Sequence, residues 1–268
     1  MRNRTEDDFN GPLLGQTLQP PGAQYAYLTF LTPEAGLGSP RLAALVDHLV
    51  SEAGKRGALR VLADVDESSL VYESLREVGF AIYSRQRIWQ HRPVGGRDAA
   101  GGSLRWRKAN DGDSFAVRSL YYNLVPGLVQ QVEPGPAQNL NGLVCYQGNE
   151  LLAYVELRRG HSGIWAQPYI HPDVGQTREL LADLLKSLLQ RSRPVYFCVR
   201  SYQGWLEPVM QDLGAQPGPR QAVMVKQMAL TKKAARTFAL PALEGGQPEI
   251  SAPFARVESH LEEEGKCW

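Results

Sequence analysis

The chain has 268 residues, room for two ordinary domains, and 43% hydrophobic side chains, enough to build cores. Its 29 basic and 28 acidic side chains leave a formal charge of +1, which gives bulk charge no role in drawing a polyanion such as nucleic acid. Cys145, Cys198 and Cys267 are too few and too scattered for a disulfide framework or a zinc site. No apolar run approaches the roughly 20 residues of a membrane span, and the first 24 residues hold no apolar signal core. A soluble, cytoplasmic protein is expected, with no metal, membrane or nucleic-acid partner.

Residues 1–24, polar and rich in proline and glycine, read as a loose lead-in. Tyr25–Leu31 reads as a strand, and Thr32–Pro40 as a loop carrying Gly36 and Gly38. From Arg41, Leu42, Leu45, Val46, Leu49, Val50 and Ala53 recur at helical spacing, with Pro40 suited to the first turn and Gly54 and Gly57 to the exit. Leu59–Val65 is a second strand. Ser68 or Ser69 caps a helix to Val78, Gly79 stops it, and Ala81–Gln90 is a third strand. His91–Ser103 has the composition of a linker.

Beyond it, Leu104–Arg107 is a short strand, and Asp113 or Ser114 caps a helix carrying Phe115, Leu120, Leu124 and Leu128 that Pro126 and Gly127 kink or end. Gly142–Tyr146, Leu151–Arg158 and Gly163–Ile170 form an antiparallel meander. A helix with Leu180, Leu181, Leu184, Leu185, Leu188 and Leu189 follows, then a strand Val195–Val199, a helix Tyr202–Leu213, Gly214 and a strand Ala222–Met228. Residues 230–268 form a tail, basic at Thr231–Arg236 and acidic at Glu258–Glu264. Cys198, inside Val195–Val199, reads as a small core hydrophobe.

Residues 45–90 are echoed without a gap 135 positions later: Leu45 falls on Leu180, Leu49 on Leu184, Gly79 on Gly214 and Arg85-Gln86 on Arg220-Gln221. Identities are few, but the order of features is the same, so the chain reads as two unequal copies of one unit. The copies span 25–90 and 104–229, with 91–103 between them and 230–268 after. The first lacks most early strands. The second lacks the glycine pair, since Gly36 and Gly38 fall on His171 and Asp173.

The order strand, helix, three antiparallel strands, helix, strand, helix, strand over 104–228 resembles the GNAT acetyltransferase fold, and 25–90 resembles its later half. Pro33-Glu34-Ala35-Gly36-Leu37-Gly38-Ser39 is similar to that family's acyl-CoA loop, and Leu75-Arg76-Glu77-Val78-Gly79-Phe80 to its later glycine-phenylalanine segment. The resemblance implies a tandem α+β (α/β) fold of mixed, mostly antiparallel sheets flanked by helices, with the N-terminal copy truncated. It also implies acetyl-CoA as co-substrate, held by Leu31, Thr32, Ala35, Gly36, Leu37, Gly38 and Ser39, with Ser68 at the position of a family asparagine. Glycines suit such a loop because main-chain N–H groups can approach an anion at a helix start.

The chain departs from the family pattern at Pro33, at Leu75 and at Met210, where the family's frequent tyrosine is absent in both copies. No catalytic residue stands out. Tyr72, Glu67 and Glu156 are candidates, though each reads more readily as packing or solvated surface, and Asp64 and Asp66 close the first-copy strand near where a thioester would sit. Trp165 and Tyr169 alternate on one strand and either line a pocket or pack. The expected activity is acetyl transfer to a small-molecule amine or peptide. The alternative is a GNAT-like binding or scaffold module without catalysis. The two copies are expected to lay two sheets side by side and to line any substrate cavity together.

Overall fold

The structure, a computed structural model, describes residues 11–92, 105–136, 139–189 and 193–228. The chain divides into two units, Met1–Leu230 and Thr231–Trp268, and the described residues all belong to the first. The linker beyond Arg92 and the tail lie outside the described residues.

The first half contributes β1 (Leu14–Leu18), β2 (Tyr25–Thr32), α1 (Arg41–Lys55), β3 (Arg60–Asp66), α2 (Leu70–Glu77) and β4 (Ala81–His91). The second contributes β5 (Trp106–Lys108), α3 (Ser114–Leu124), α4 (Gly127–Val132), β6 (Gly142–Gln147), β7 (Glu150–Arg159), β8 (Ile164–Ile170), α5 (Thr177–Leu189), β9 (Val195–Arg200), α6 (Leu206–Asp212) and β10 (Gln216–Gln227). All ten strands form one sheet in the order β1-β2-β3-β10-β4-β9-β8-β7-β6-β5. Among the described residues only β2/β3 and β8/β9 are parallel. Each needs a crossover, which α1 and α5 supply.

The order corrects the expectation of two sheets side by side. The closing strands are exchanged: β10 lies between β3 and β4, and β4 lies between β10 and β9. Gln86 stands opposite Gln221 in the antiparallel β4/β10 pair, and its side-chain Nε2 donates to Gln221 Oε1 at 2.9 Å across a separation of 135 residues. Repeat-equivalent residues facing each other in an antiparallel pair place a local twofold axis between them. The exchange also leaves neither copy with a bare central edge, which would otherwise invite pairing with another chain.

The equivalence extends to helix ends. Gly79 and Gly214 close α2 and α6 with φ of 88° and 78°. In both, the next N–H returns to a carbonyl in the helix, Phe80 to Leu75 and Ala215 to Met210. Glycine supplies this left-handed turn without a Cβ clash.

Alternation along the strands sorts three cores. Val61, Ala63 and Val65 of β3 pack under α1 and α2. Val195, Phe197 and Val199 of β9 pack under α5 and α6, whose Leu180, Leu181, Leu184 and Leu206 are fully buried. Each such leucine contributes roughly 1.5–3 kcal/mol of burial. The opposite face is covered near the centre by α3 and α4, with Val117, Leu120, Val129 and Val132 against Leu62, Tyr154, Val223 and Val225. Arg60 of β3 donates to the Gln131 carbonyl in α4, tying the halves on that face.

Local details refine the sequence expectations, and the break at Pro126 and a serine cap on α2 are as expected. The lead-in 1–24 contains β1, which pairs with β2 from Leu14↔Thr32 to Leu18↔Tyr27, so the first copy has one more strand than expected. The helix after Asp113 breaks at Val125-Pro126 and restarts as α4, and Phe115, expected on its apolar face, is 86% exposed. Ser69 rather than Ser68 caps α2, accepting from the Val71 N–H at 3.2 Å. Glu34–Gly36 form a 3-10 turn inside the expected loop.

Candidate functional site

The two parallel pairs part in the same way. β2 and β3 are paired at Tyr25↔Arg60, Ala26↔Val61 and Tyr27↔Leu62, and the ladder stops there although both strands continue. β8 and β9 are paired at Ile164↔Val195, Trp165↔Tyr196 and Ala166↔Phe197, and then stop. Parted parallel strands leave main-chain N–H and C=O groups facing a gap, and such groups need partners.

The gaps are treated differently. In the second copy Gln203, 0% exposed, fills it. Its Nε2 donates to the Pro168 carbonyl at 2.8 Å and its Oε1 accepts from the Ile170 N–H at 3.2 Å. The carboxamide takes the place of a neighbouring strand. The residue 135 positions earlier is Ser68, whose N–H and hydroxyl both donate to Asp66 Oδ1, at 2.9 and 2.8 Å, on the surface. No described side chain bridges the first gap as Gln203 bridges the second. The strands differ as well. The β1/β2 register slips at Gln16/Thr17, pairing Gln16 with Phe30 and Thr17 with Leu28, which leaves Thr29 as a bulge. β7/β8 runs without a slip. Bulges bend a strand and concentrate beside active sites.

At the end of β2 lie the residues expected to hold acetyl-CoA. Leu31 and Thr32 close the strand, and Ala35 and Gly36 lie in the 3-10 turn. Leu37, Gly38 and Ser39 lead into α1. Three of the loop N–H groups are turned inward: Gly36 to Pro33 O, Leu37 to Glu34 O and Ser39 to Gly36 O, each at 3.1 Å. Ser39 Oγ is buried with no protein partner, a free polar group at the helix start. A coenzyme A molecule therefore meets a mixed fit. The open β2 edge suits the amides of its extended arm, and Ser39 suits a phosphate oxygen, but the loop spends on itself three N–H groups that a full phosphate cradle would present.

The matching hollow over the second connection, about 410 Å³, is lined by Glu150, Asp173 and His171 and by no lysine or arginine. Two carboxylates there oppose a phosphate.

A cavity of about 90 Å³ lies on the α3/α4 face and is lined from both copies. Its buried floor comes from Arg200, Gln167, Tyr169, Gln86 and Tyr83. Asp64 and Arg158 are exposed at its rim. Tyr27, at the last β2/β3 ladder position, and Glu133, after α4, complete the wall with Glu156 and Trp165. Arg200 Nη2 binds Glu133 at 2.6 Å, and Tyr83 donates to the same carboxylate at 2.8 Å. Arg158 binds Glu156 at 3.1 Å and stacks over Trp165 with 5.0 Å to the ring centroid. Asp64 accepts from Gln86 Nε2 at 3.2 Å.

Burial pushes the Tyr27 phenol up to about 12, and the neighbouring Tyr25 adds to the shift. Burial also raises Tyr83 and Tyr169, so these hydroxyls stay protonated at neutral pH. Cys198 donates to Gln86 Oε1 at 3.2 Å, and burial raises its thiol to about 12, which makes it a packing residue rather than a nucleophile.

Of the sequence candidates, Glu156, Asp64, Trp165 and Tyr169 come together in this cavity. Glu67 does not line it and forms an outer pair with Arg85 at 2.7 Å. Tyr72 packs against the α1/α2 core under Arg76. Leu75 and Met210, where a tyrosine would stand, are buried in their cores. Arg200, Glu133, Tyr83 and Tyr27 were not singled out by sequence reasoning. Arg200 carried a signal: it closes the apolar run Val195–Val199 in phase with Tyr196 and Cys198, on the face away from Phe197. Among the described residues no group of three or more metal-ligating side chains is gathered, and no helix is long and apolar enough to cross a membrane.

No protein-family model matches the sequence, and no curated protein matches it. Solved structures do. A GCN5-related N-acetyltransferase from Sphaerobacter thermophilus is 12% identical, with a TM-score of 0.52 over 80% of this chain and 76% of that one. A GCN5-related N-acetyltransferase from Kribbella flavida is 13% identical, with a TM-score of 0.50 over 82% and 88%. A conserved protein of unknown function from Staphylococcus epidermidis is 10% identical, with a TM-score of 0.50 over 76% and 84%. At these identities the likeness establishes the fold: the chain has the mixed, mostly antiparallel GNAT architecture.

Proposed function

We propose that the protein is an N-acyltransferase that uses acetyl-CoA and a small amine, with one donor site on the first copy and an acceptor cavity shared by both. The supporting observation is that the cavity reaches Tyr27 and Leu62, where the open β2 edge begins. Along that edge, Leu28–Leu31 offers main-chain groups to an extended donor, with Ser39 and the loop at the far end. Bound there, the thioester would supply an activated acyl carbon.

The chain's own residues supply the rest. Main-chain N–H groups at the Leu28 end of that edge polarise the carbonyl. Asp64 and Glu156 stand at the rim and wall to hold an ammonium and accept its proton. Tyr27, protonated at neutral pH, is the hydroxyl on the first-copy side and the proton donor to the departing sulfur.

The other reading, a GNAT-like binding module without catalysis, draws support from the inward-turned N–H groups of Gly36, Leu37 and Ser39 and from the buried Leu75 and Met210. Thermal denaturation separates the two. The transferase raises its Tm with millimolar acetyl-CoA, loses the rise in Gly36→Glu and Gly38→Glu, and releases free thiol with an amine panel. A folded protein whose Tm does not respond to acetyl-CoA is the module instead.

A further inference from the structure

The cavity floor holds two buried polar side chains with unspent hydrogen-bond donors. Arg200 is 7% exposed, and its Nε and Nη1 have no protein partner. Gln167 is 4% exposed, and its Nε2 has none. Only Arg200 Nη2 is engaged, by Glu133. Burying a guanidinium is costly unless its donors are met, and a single carboxylate does not meet them all. Nε and Nη1 point to different sides of the guanidinium, so each is a separate charged donor, and a charged donor bonds a carboxylate more strongly than a neutral one does.

The rim is the opposite in charge. Arg158 is taken by Glu156, and Glu133 is taken by Arg200. Among the described residues Asp64 has no cationic side chain in an ion pair and accepts only from the Gln86 amide in this cavity. It stands exposed at the mouth, on the same side as Tyr27. The cavity thus offers donors at its buried end and an unneutralised carboxylate at its open end.

We propose that the acceptor is a small zwitterion of the amino-acid class: its carboxylate is held by one unspent Arg200 donor together with Gln167 Nε2, and its ammonium is directed to Asp64 at the mouth. The orientation presents the nitrogen to the first-copy strand edge, where the donor reading places the acyl group. It disfavours polyamines, which would set cationic nitrogens against Arg200. This assignment rests on the acyltransferase reading for the word acceptor, while the binding it describes stands without it.

The test is isothermal titration of the full-length protein, without acetyl-CoA, against the proteinogenic L-amino acids, their C-terminal amides and spermidine. At least one amino acid should bind about tenfold or more tightly than its own amide, the loss expected when charged hydrogen bonds are removed. Gln167→Leu should weaken that binding about tenfold while keeping the wild-type Tm. Arg200→Lys should do the same if it folds, and Gln167→Leu decides the matter if it does not. Equal binding of acid and amide, preference for spermidine, unchanged affinity in folded Gln167→Leu, or no amino-acid binding at millimolar concentration would each overturn the assignment. Thiol release is measured separately. Carboxylate-dependent binding without thiol release retains the site and sinks the transferase. Thiol release that ignores the carboxylate retains the transferase and sinks the site.

Discussion

β2/β3 and β8/β9 each hold three parallel ladder positions and then part, yet one gap is open beside a bulged strand and the other is occupied by the Gln203 carboxamide. The two halves part their parallel strands at matching places. In one, the chain keeps main-chain groups free. In the other it satisfies them internally, which removes the cost of burying unpaired N–H and C=O groups. The acceptor side shows the reverse asymmetry. Among the described residues, only the second half brings α3 and α4, and these cover the face on which the shared cavity lies. A single composite site is the arrangement that uses both halves.

The largest break in this comparison is made by copying one gap into the other. Ser68→Gln gives the first copy the side chain that closes the second. We expect the acetyl-CoA-induced rise in Tm to disappear, with the ligand-free Tm changed little, because Ser68 is exposed and surface changes usually stay within about 0.5 kcal/mol. Thermal denaturation with and without ligand reads both.

Next in size is the anchor of α3, the helix found only in the second half. Asp113 is buried, receives both Arg107 Nη groups at 2.7 and 2.6 Å, the Asn110 N–H at 2.9 Å and the Tyr146 hydroxyl at 2.9 Å. The Arg107 hydrogen bonds lead in holding its carboxyl down at about 2. Asp113→Ala leaves the Asn110 N–H and the Tyr146 hydroxyl without their partner and should cost roughly 1.5–3 kcal/mol, the range for hydrogen bonds to a charged group. The folded value lies below the unfolded value of about 4. Its stabilisation is therefore full above that range and lost as pH falls through about 2. Urea titrations over acidic pH should show a shallower dependence in Asp113→Asn.

A smaller effect is expected at the plug. Gln203→Ala strands the Pro168 carbonyl and the Ile170 N–H, at roughly 1–3 kcal/mol for a buried group left unpaired. The acetyl-CoA response should persist, since that gap is not the donor site. Loss of the response in a folded Gln203→Ala protein would reverse the roles of the two copies. Smallest is Glu67→Gln, which breaks an outer pair with Arg85, typically worth about 0–1 kcal/mol, and should leave thiol release unchanged.

Much of this architecture was legible in the chain. The leucines of α1 and α5, the stop glycines Gly79 and Gly214, and the 135-residue echo of Gln86 in Gln221 carry the helices, their ends and the local twofold. The exchange of β4 and β10 was not legible, because periodicity sets which face a residue occupies and says nothing of which neighbour a strand pairs with. β1 was hidden because Leu14–Leu18 alternates weakly on an outer edge. The cavity was half legible. Glu156, Trp165 and Tyr169 stood out as strand residues with function-bearing side chains, whereas Arg200 and Glu133 meet only through the fold, across β9 and the segment after α4. The role of Gln203 as a strand surrogate depends on where β8 and β9 part, which no local pattern shows.

The comparison between the two gaps is tested most directly by backbone amide hydrogen exchange with and without millimolar acetyl-CoA. The account predicts slowed exchange in the peptides spanning Leu28–Thr32 and the loop to Arg41, and no change in those spanning Gln167–Ile170. Slowing at Gln167–Ile170 with none at Leu28–Thr32, or no change in either, would contradict it.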